Sequence, residues 1–165
     1  MSTEARRVLG LTIVAGTVYA AVVECPEMPL LDDPFERLDL AEGLEGPAQL
    51  ADFSARFKQE LRRVAPLAVG VLNTRKYSNW KYTDVFKRVS LEAAVMLAVE
   101  ELSMPARTIR YVLVTQEGLP KAAGIDAKTF PESAHERWGG ALRRYARERA
   151  VAIATAVAVA RRECP

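Results

Sequence analysis

Two apolar segments near the start of the chain are joined by a tight turn signal. Val8–Ala15 and Val18–Val23 are rich in valine and other apolar residues, and Gly16-Thr17 separates them. Apolar segments that are separated by two turn-forming residues predict a β-hairpin. This hairpin constrains the fold more than any other feature, since the chain must then begin with a pair of antiparallel strands.

Three further segments have the patterns of strands. Phe35–Leu40 alternates apolar and charged residues, which predicts a half-exposed strand at the edge of a sheet. Leu67–Leu72 is a short apolar segment, as expected for a buried central strand, and Ile109–Val114 predicts a fifth strand. The segment Gln116–Ser133 is expected to be irregular, with one short helix at most.

Three other segments predict helices. Apolar residues recur at spacings of three and four over Leu50–Val64, which is typical of an amphipathic helix. A second helix is expected over Thr83–Ser103. The last segment, Gly140–Arg162, is ambiguous because Val151–Val159 alternates with a period of two, but its many alanines and its flanking residues favour a helix.

The order of these elements predicts the fold class. It is β-β-β-α-β-α-β-α, a meander of three strands followed by alternating helices and strands. Such an order predicts an α/β fold with a mixed five-stranded sheet and helices on both faces. The length of 165 residues, half of them hydrophobic, fits a single domain spanning residues 1–165 with its own core.

Charge and cysteine content say more about the cellular compartment of this protein than about its function. The net charge is +2, from 23 basic and 21 acidic residues, so it neither requires nor excludes a polyanionic partner. Cys25 and Cys164 lie far apart without a Cys/His cluster, so we expect no structural zinc and two reduced thiols, with a disulfide between them as the alternative. The longest apolar stretch, Ala150–Ala160, is too short to span a bilayer, and the start of the chain lacks the pattern of a signal peptide. We therefore expect a cytoplasmic protein.

Four short motifs, taken in order, resemble those of one family. The segment Val8–Val22 is similar to an opening hairpin of the type LGIDPG…GYAVI, and Leu67–Leu72 is similar to the fourth strand of that family. Leu119–Ile125 resembles its VKxxVxG stretch, and Arg149–Ala154 resembles the apolar part of its last helix. Together they resemble the RuvC resolvase branch of the RNase H-like superfamily. The resemblance implies a single RNase H-like domain that binds DNA or RNA.

The resemblance also implies a site for two metal ions, held by acids from the first strand, the end of the fourth strand and the last helix. The matching positions are Thr12, Asn73, Ala146 and Arg149, and none of them is acidic. A neutral hydroxyl is a poor ligand for a hard dication, and an arginine would put positive charge where the metal should lie. We therefore expect a catalytically degenerate pseudonuclease that uses no cofactor.

An active nuclease with a rearranged acidic site, using magnesium or manganese, is one alternative. Three of its candidate residues also have an ordinary explanation, since acids such as Asp32 and Asp33 in a proline-rich loop are common turn residues and a lone histidine such as His135 is more often structural. The candidate catalytic residues are Asp32, Asp33, Glu132, His135, Glu136 and Glu148.

The segment Thr74–Arg88 is the densest candidate for a binding surface. It contains five basic residues, four aromatic residues and one acid, and it follows the predicted fourth strand. Cations contact phosphates and aromatic faces stack on bases, so this mixture suits nucleic acid. Alternatively, the aromatic residues pack on the core, or the segment binds another protein. The predicted nucleic-acid-binding residues are Arg75, Lys76, Tyr77, Trp80, Lys81, Tyr82, Lys87, Arg88 and, further along the chain, Lys121.

A non-enzymatic interaction module is the third alternative. It would assemble with a partner protein, or as a homodimer through the apolar helical segment Leu91–Val99. Other common chemistries lack their motifs, since the sequence contains no G-x-S-x-G turn, no CxxC pair and no glycine-rich phosphate loop.

Overall fold

The expected hairpin forms the first two strands of a mixed five-stranded sheet. The computed structural model describes residues 5–73, 81–105 and 107–164. The strands are β1 (Arg6–Val14), β2 (Thr17–Cys25), β3 (Arg37–Asp39), β4 (Ala68–Asn73) and β5 (Arg110–Thr115). Their order across the sheet is β3-β2-β1-β4-β5. The first three strands are an antiparallel meander, and β4 and β5 run parallel to β1, which confirms the predicted fold class.

Helices follow the strands at the predicted places, with differences near the end of the chain. The helices are α1 (Gly46–Val64), α2 (Tyr82–Leu102), α3 (Leu119–Ala123), α4 (Glu132–Trp138) and α5 (Ala146–Glu163). The final segment is helical as predicted, but α5 begins at Ala146 rather than Gly140. Leu142 is extended and Tyr145 has left-handed backbone angles, so the helix cannot start earlier. The segment Gln116–Ser133 contains α3 and the first residues of α4, and is thus less irregular than expected.

Helices α1 and α2 cover one face of the sheet. Alternate residues of β1, namely Leu9, Leu11 and Ile13, are fully buried on this face, in one core cluster with Phe53 and Phe57 of α1. The alternation follows from the pleat of the strand, and the regular spacing on α1 gives a single apolar stripe. This face therefore has the core that the sequence pattern predicts.

Helix α5 packs directly against the backbone of the central strands on the opposite face. Gly10 of β1 and Gly70 of β4 are paired in register. A Cβ atom at Gly10 would lie 2.1 Å from the carbonyl oxygen of Ala152, and one at Gly70 would lie 2.6 Å from Val159 Cγ2. Any larger residue would therefore push α5 away from the sheet, since the interior has no spare volume.

The period-two pattern of α5 arises because the helix is buried on two sides. Ala152 and Ala156 belong to the cluster against the sheet, whereas Ala154 and Ala158 belong to a cluster with Leu119 of α3. A helix that is buried on several sides is apolar nearly all round and loses its amphipathic signature. Helices thus cover both faces of the sheet, as predicted.

A disulfide joins Cys25, at the end of β2, to Cys164, which directly follows α5. The expectation of two reduced thiols is therefore wrong for this structure. The residues are separated by 139 positions in the sequence, and the packing of α5 on the sheet brings their Cα atoms to 6.1 Å. The cytoplasmic location stays a prediction, and disulfides are uncommon in that compartment. Within the described ranges, no helix is both long and apolar enough to cross a membrane.

Candidate functional site

The first position expected to carry a metal ligand, Thr12, lies on the face of β1 that is covered by α5. It is two residues after Gly10, which contacts α5, so its side chain points to the same face. Thr12 is 5% exposed and is paired with Tyr19 of β2. A neutral side chain is therefore almost buried where the resemblance implies a carboxylate.

The end of β4 supplies an apolar residue to this face. Leu72 is 2% exposed and shares a cluster with Ala150 and Ala154 of α5, so it points to the same side of the sheet as Thr12. Asn73, which the sequence comparison placed at the second metal position, is the next residue and therefore faces the other side. The structure thus assigns Leu72 to this corner, and neither residue is a carboxylate.

The start of α5 brings a cation into the same region. Ala146 is the first residue of the helix, and Arg149, in the first turn, is 5% exposed. Arg149 Nε donates to the carbonyl oxygen of Ala20 at 3.0 Å, and its Nη1 lies 3.5 Å from Glu36 Oε1. Burial lowers the pKa of Arg149, and the negative charge of Glu36 opposes that effect. The guanidinium is therefore a built-in structural cation.

Two tyrosines and an arginine form a cluster beside Thr12 that the sequence did not predict. The ring centroids of Tyr19 and Tyr145 are 5.7 Å apart, and the Arg37 guanidinium lies 5.7 Å and 5.0 Å from the two rings. Arg37 also donates three hydrogen bonds to the carboxylate of Asp39, which fixes the guanidinium plane. Burial raises the pKa of Tyr19, while the positive charge of Arg37 lowers it in part. In the sequence, the one feature that relates to this cluster is the spacing of Arg37 and Asp39. They are two residues apart on β3 and therefore lie on the same face of the strand.

Tyr145 holds its place through an uncommon backbone conformation. Its angles are φ 52° and ψ 41°, in the left-handed region that a bulky residue rarely adopts. The residue immediately precedes α5, so this turn directs the chain into the helix and brings the phenol ring over the sheet edge. Strain of this kind is retained where surrounding contacts fix the geometry.

Comparisons with known proteins support the fold. No protein-family model and no curated protein sequence matches the chain. RuvC of Thermus thermophilus in complex with a Holliday junction substrate is 19% identical, with a TM-score of 0.70 over 93% of this chain and 91% of that chain. The yeast mitochondrial Holliday junction resolvase Ydc2 is 12% identical, with a TM-score of 0.63 over 94% of this chain and 78% of that chain. The chain has an RNase H-like fold that resembles RuvC.

Two of the alternative acids lie beside β2 and β3 of the RuvC-like fold. Asp33 accepts hydrogen bonds from Arg63 and from the backbone N–H of Phe35. Burial raises the pKa of Asp33, but these two donors outweigh it and hold the pKa below its ordinary value. Asp32 lines a cavity of about 280 Å³ together with Arg149. Asp33 is thus part of a structural ion pair.

The remaining candidates lie on α4 and α5 of the RuvC-like fold. Glu132 pairs with Arg147 at 3.3 Å between two exposed side chains. His135 and Glu136 are on α4, and Glu148 is in the first turn of α5, close enough to Tyr19 to raise the pKa of that phenol. In residues 5–73, 81–105 and 107–164, no three His, Cys, Asp or Glu side chains form a group that would hold a metal ion.

The basic segment after β4 is described only in part. Arg75, Lys76, Tyr77 and Trp80 lie outside the described residues. Lys81, Tyr82 and Lys87 are exposed at the start of α2, and Lys121 is exposed on α3. Lys87 also lines a cleft of about 700 Å³ beside the hairpin turn, together with Arg37 and Arg56. These cations are exposed, and the nucleic-acid-binding surface stays a prediction.

Arg88 does not belong to that surface. It is 2% exposed and donates hydrogen bonds to the carbonyl oxygens of Ile13, at the end of β1, and of Leu72, at the end of β4. Its Nε lies 3.3 Å from Glu92 Oε1. The prediction that Arg88 contacts nucleic acid is therefore wrong, because the guanidinium is used to connect α2 to the ends of the two central strands.

Helix α2 also carries an exposed apolar face. Tyr82, Phe86, Val89, Met96 and Leu97 are between 51% and 80% exposed, and the rings of Tyr82 and Phe86 stack at 6.2 Å. Their spacings of four, three, seven and one residues keep them within roughly 100° around the axis, so they lie along one side of the helix. Most of the segment proposed for dimerisation from the sequence faces inward, including these buried residues: Leu91, Val95, Ala98 and Val99.

Proposed function

We propose that this chain is a RuvC-like nucleic-acid-binding domain that does not cleave its substrate. The observation that carries the proposal is which side chains lie where β1 and β4 end and α5 begins. Thr12, Asn73 and Arg149 stand at positions where the resemblance implies carboxylates. Apolar Leu72 faces α5 beside Thr12, and Arg149 adds a buried positive charge there. A site of this composition lacks the anionic ligands that a pair of magnesium ions needs.

Binding itself would depend on the segment Thr74–Lys87 and on the neighbouring exposed residues, without the buried Arg88. Lys81 and Lys87 supply charge for phosphates, and the stacked pair of Tyr82 and Phe86 offers aromatic surface to an unpaired base. The two similar resolvases are named for Holliday junctions, which makes branched DNA the first substrate to test. Single-stranded DNA and RNA complete the set.

The test is binding of labelled branched DNA by the variant Arg75→Ala/Lys76→Ala/Trp80→Ala, followed by fluorescence anisotropy from about 50 to 200 mM salt. Loss of two phosphate contacts should reduce the slope of log K against log salt by about 2, and loss of a stacked tryptophan should weaken binding further. The matched control, Arg137→Ala/Arg144→Ala, removes the same charge around α4 and α5. Wild-type affinity and slope in the triple variant would refute the proposal.

The second candidate is an active nuclease with a rearranged site, and it is favoured by one observation. Glu148 lies in the first turn of α5 and acts electrostatically on Tyr19, which is paired with Thr12. Wild-type protein and Glu148→Gln should be incubated with duplex, single-stranded and branched substrates in magnesium or manganese. Cleavage that is lost in Glu148→Gln would establish this candidate, and no cleavage with either metal would remove it.

We also propose that the later part of the exposed face of α2, around Val89, Met96 and Leu97, joins two copies of the chain. Met96 and Leu97 lie on the same helix as Phe86 and Val89, and apolar side chains at helical spacing pack well against a second helix. The variant Met96→Glu/Leu97→Glu should sediment as a monomer while wild type sediments as a dimer. A wild-type monomer at micromolar concentration would contradict this. A dimer without nucleic-acid affinity would instead favour the assembly module.

A further inference from the structure

Arginines cluster at the end of the sheet where β1, β4 and β5 begin, opposite the end from which the segment Thr74–Arg88 departs. Arg6 and Arg110 are the first residues of β1 and β5, and Arg107 shortly precedes β5. Arg62 and Arg162 lie in the last turns of α1 and α5. We call these five residues the strand-start arginines.

Shared cavities and contacts with Glu163 bring four of the strand-start arginines together, and Arg162 lies at the same end of the sheet by its place in the last turn of α5. Arg6 and Arg107 line a cavity of about 220 Å³, and Arg62 and Arg107 line an adjoining cavity of about 280 Å³. Arg6 Nη2 donates to the carbonyl oxygen of Glu163 at 3.3 Å, and Arg110 Nη1 lies 2.9 Å from Glu163 Oε2. The end of α5 therefore meets the starts of β1 and β5, which brings the adjacent Arg162 to the same edge.

The charge of this surface differs from that of the chain as a whole. Glu163 is the acid that contacts the set, and its side chain is only 7% exposed and paired with Arg110. The five arginines and this acid carry a net charge of +4, whereas the whole chain carries +2. At the same end of the sheet, Arg7 is paired with Glu24, and the last turn of α2 contributes Glu100 and Glu101. The strand-start arginines are thus a local group of positive charges with acids beside it.

Backbone contacts orient two of these guanidinium groups. Arg107 Nη2 donates to the carbonyl oxygen of Ala65, the residue that ends α1, at 2.6 Å, and Arg6 makes the corresponding bond at the end of α5. Each bond uses one of the several N–H donors of a guanidinium. The bond therefore restrains the side chain while further donors stay available on an exposed residue, which reduces the entropy lost when an anion binds.

We propose that the strand-start arginines bind the phosphate backbone of nucleic acid at a second surface, separate from the segment Thr74–Arg88. The planar guanidinium of an arginine can donate two parallel hydrogen bonds to a pair of phosphate oxygens, which suits these residues to phosphate. Phosphates recur about every 1.7 Å along a duplex axis when both strands are counted, so this polyanion meets an arc of arginines at many positions. The proposal that these arginines bind nucleic acid does not depend on the function proposed above. The proposal that one chain binds two nucleic-acid segments at once rests on that function.

The distance between the two surfaces suits two separate segments. Strand β1 has nine residues, which places Arg6 about 30 Å from the other end of the sheet, where the first turns of α2 carry Lys81 and Lys87. An arginine side chain cannot cover that distance, so the two surfaces engage different phosphates. One copy of the chain thereby gains a way to hold two arms of a branched substrate, or two molecules, at opposite ends of its sheet.

The variant Arg62→Gln/Arg162→Gln tests the surface without removing the arginines that bond to backbone carbonyls. A short labelled DNA duplex is titrated over a range of salt concentrations, and the slope of log K against log salt should fall by about 2. The matched control, Arg137→Gln/Arg144→Gln, should keep the wild-type slope. In a second assay, energy transfer between two differently labelled duplexes should be present with wild type and fall to background with the variant. Unchanged slope and unchanged energy transfer would overturn the proposal.

Two further arms separate the possible outcomes. If Arg62→Gln/Arg162→Gln loses binding to vesicles that contain phosphatidylserine but keeps its DNA affinity, the surface serves a lipid headgroup and the proposal is wrong. If Arg75→Ala/Lys76→Ala/Trp80→Ala binds DNA like wild type while the strand-start variant is weakened, the proposed function fails and the second surface stands. The reverse result removes the second surface alone.

Discussion

The disulfide between Cys25 and Cys164 should account for a large part of the stability of this protein. A cross-link restricts the unfolded chain, and the effect grows with the length of chain that it encloses. The separation of 139 residues corresponds to about 5 kcal/mol of unfolded-state entropy at 25 °C. Domains of this kind have a total free energy of unfolding of roughly 5–15 kcal/mol. Removal of the cross-link should therefore lower the melting temperature by on the order of 15 °C.

The assay is urea unfolding of wild type and of Cys25→Ser/Cys164→Ser, each with and without dithiothreitol. We expect reduced wild type and the double variant to unfold at similar urea concentrations, both well below oxidised wild type. The double variant is the control, since reductant should not change its midpoint. Two free thiols in non-reduced wild type would refute the structural premise, and equal midpoints for oxidised and reduced wild type would refute the entropic argument.

Three smaller perturbations test other features of the fold. Gly10→Ala should cost about 3 kcal/mol or more in chemical unfolding, because its Cβ would lie 2.1 Å from the backbone of α5, whereas Gly140→Ala, with no neighbour within 4 Å, should be nearly neutral. Arg88→Met should cost about 3 kcal/mol in the same assay, because buried carbonyl oxygens at the ends of β1 and β4 lose their donor; a change below about 1 kcal/mol would contradict this role. The depressed pKa of Asp33 contributes stability above its unfolded pKa of about 3.9, and that contribution is lost as pH falls through the lower folded pKa. Asp33→Asn should therefore destabilise the protein at pH 7 and have little effect near pH 2, and an equal effect at both would argue against the ion pair.

The strands and the long helices were predictable because each has a local signature. The hairpin has apolar segments around a turn, and α1 has one apolar stripe, so neighbouring residues alone identify them. The start of α5 was misplaced because Tyr145 adopts a left-handed conformation that its side chain does not favour. Such a conformation is held by tertiary contacts and leaves no trace in a periodic pattern.

The features of the site were harder to predict because they depend on residues far apart in the sequence. The sequence predicts a surface cation at Arg88, since composition does not distinguish a guanidinium that bonds to buried carbonyls from one in solvent. The cluster of Tyr19, Arg37 and Tyr145 comes from two strands and a helix start. The neutral residue at Thr12, in contrast, could be predicted from the sequence. Side chains alternate between the two faces of a strand, so the pattern of β1 alone indicates which face Thr12 is on.

The close approach of α5 to Gly10 and Gly70 makes this fold a useful starting point for engineering. A helix that touches the backbone of two strands has no room to slide or rotate, and the bond from Arg149 to Ala20 and the disulfide secure its two ends. Acids introduced at Thr12, at Leu72 and in the first turn of α5, with Arg149 replaced, would therefore enter a frame whose spacing is already set. Metal-dependent cleavage by such a variant would show that this backbone can support a metal site.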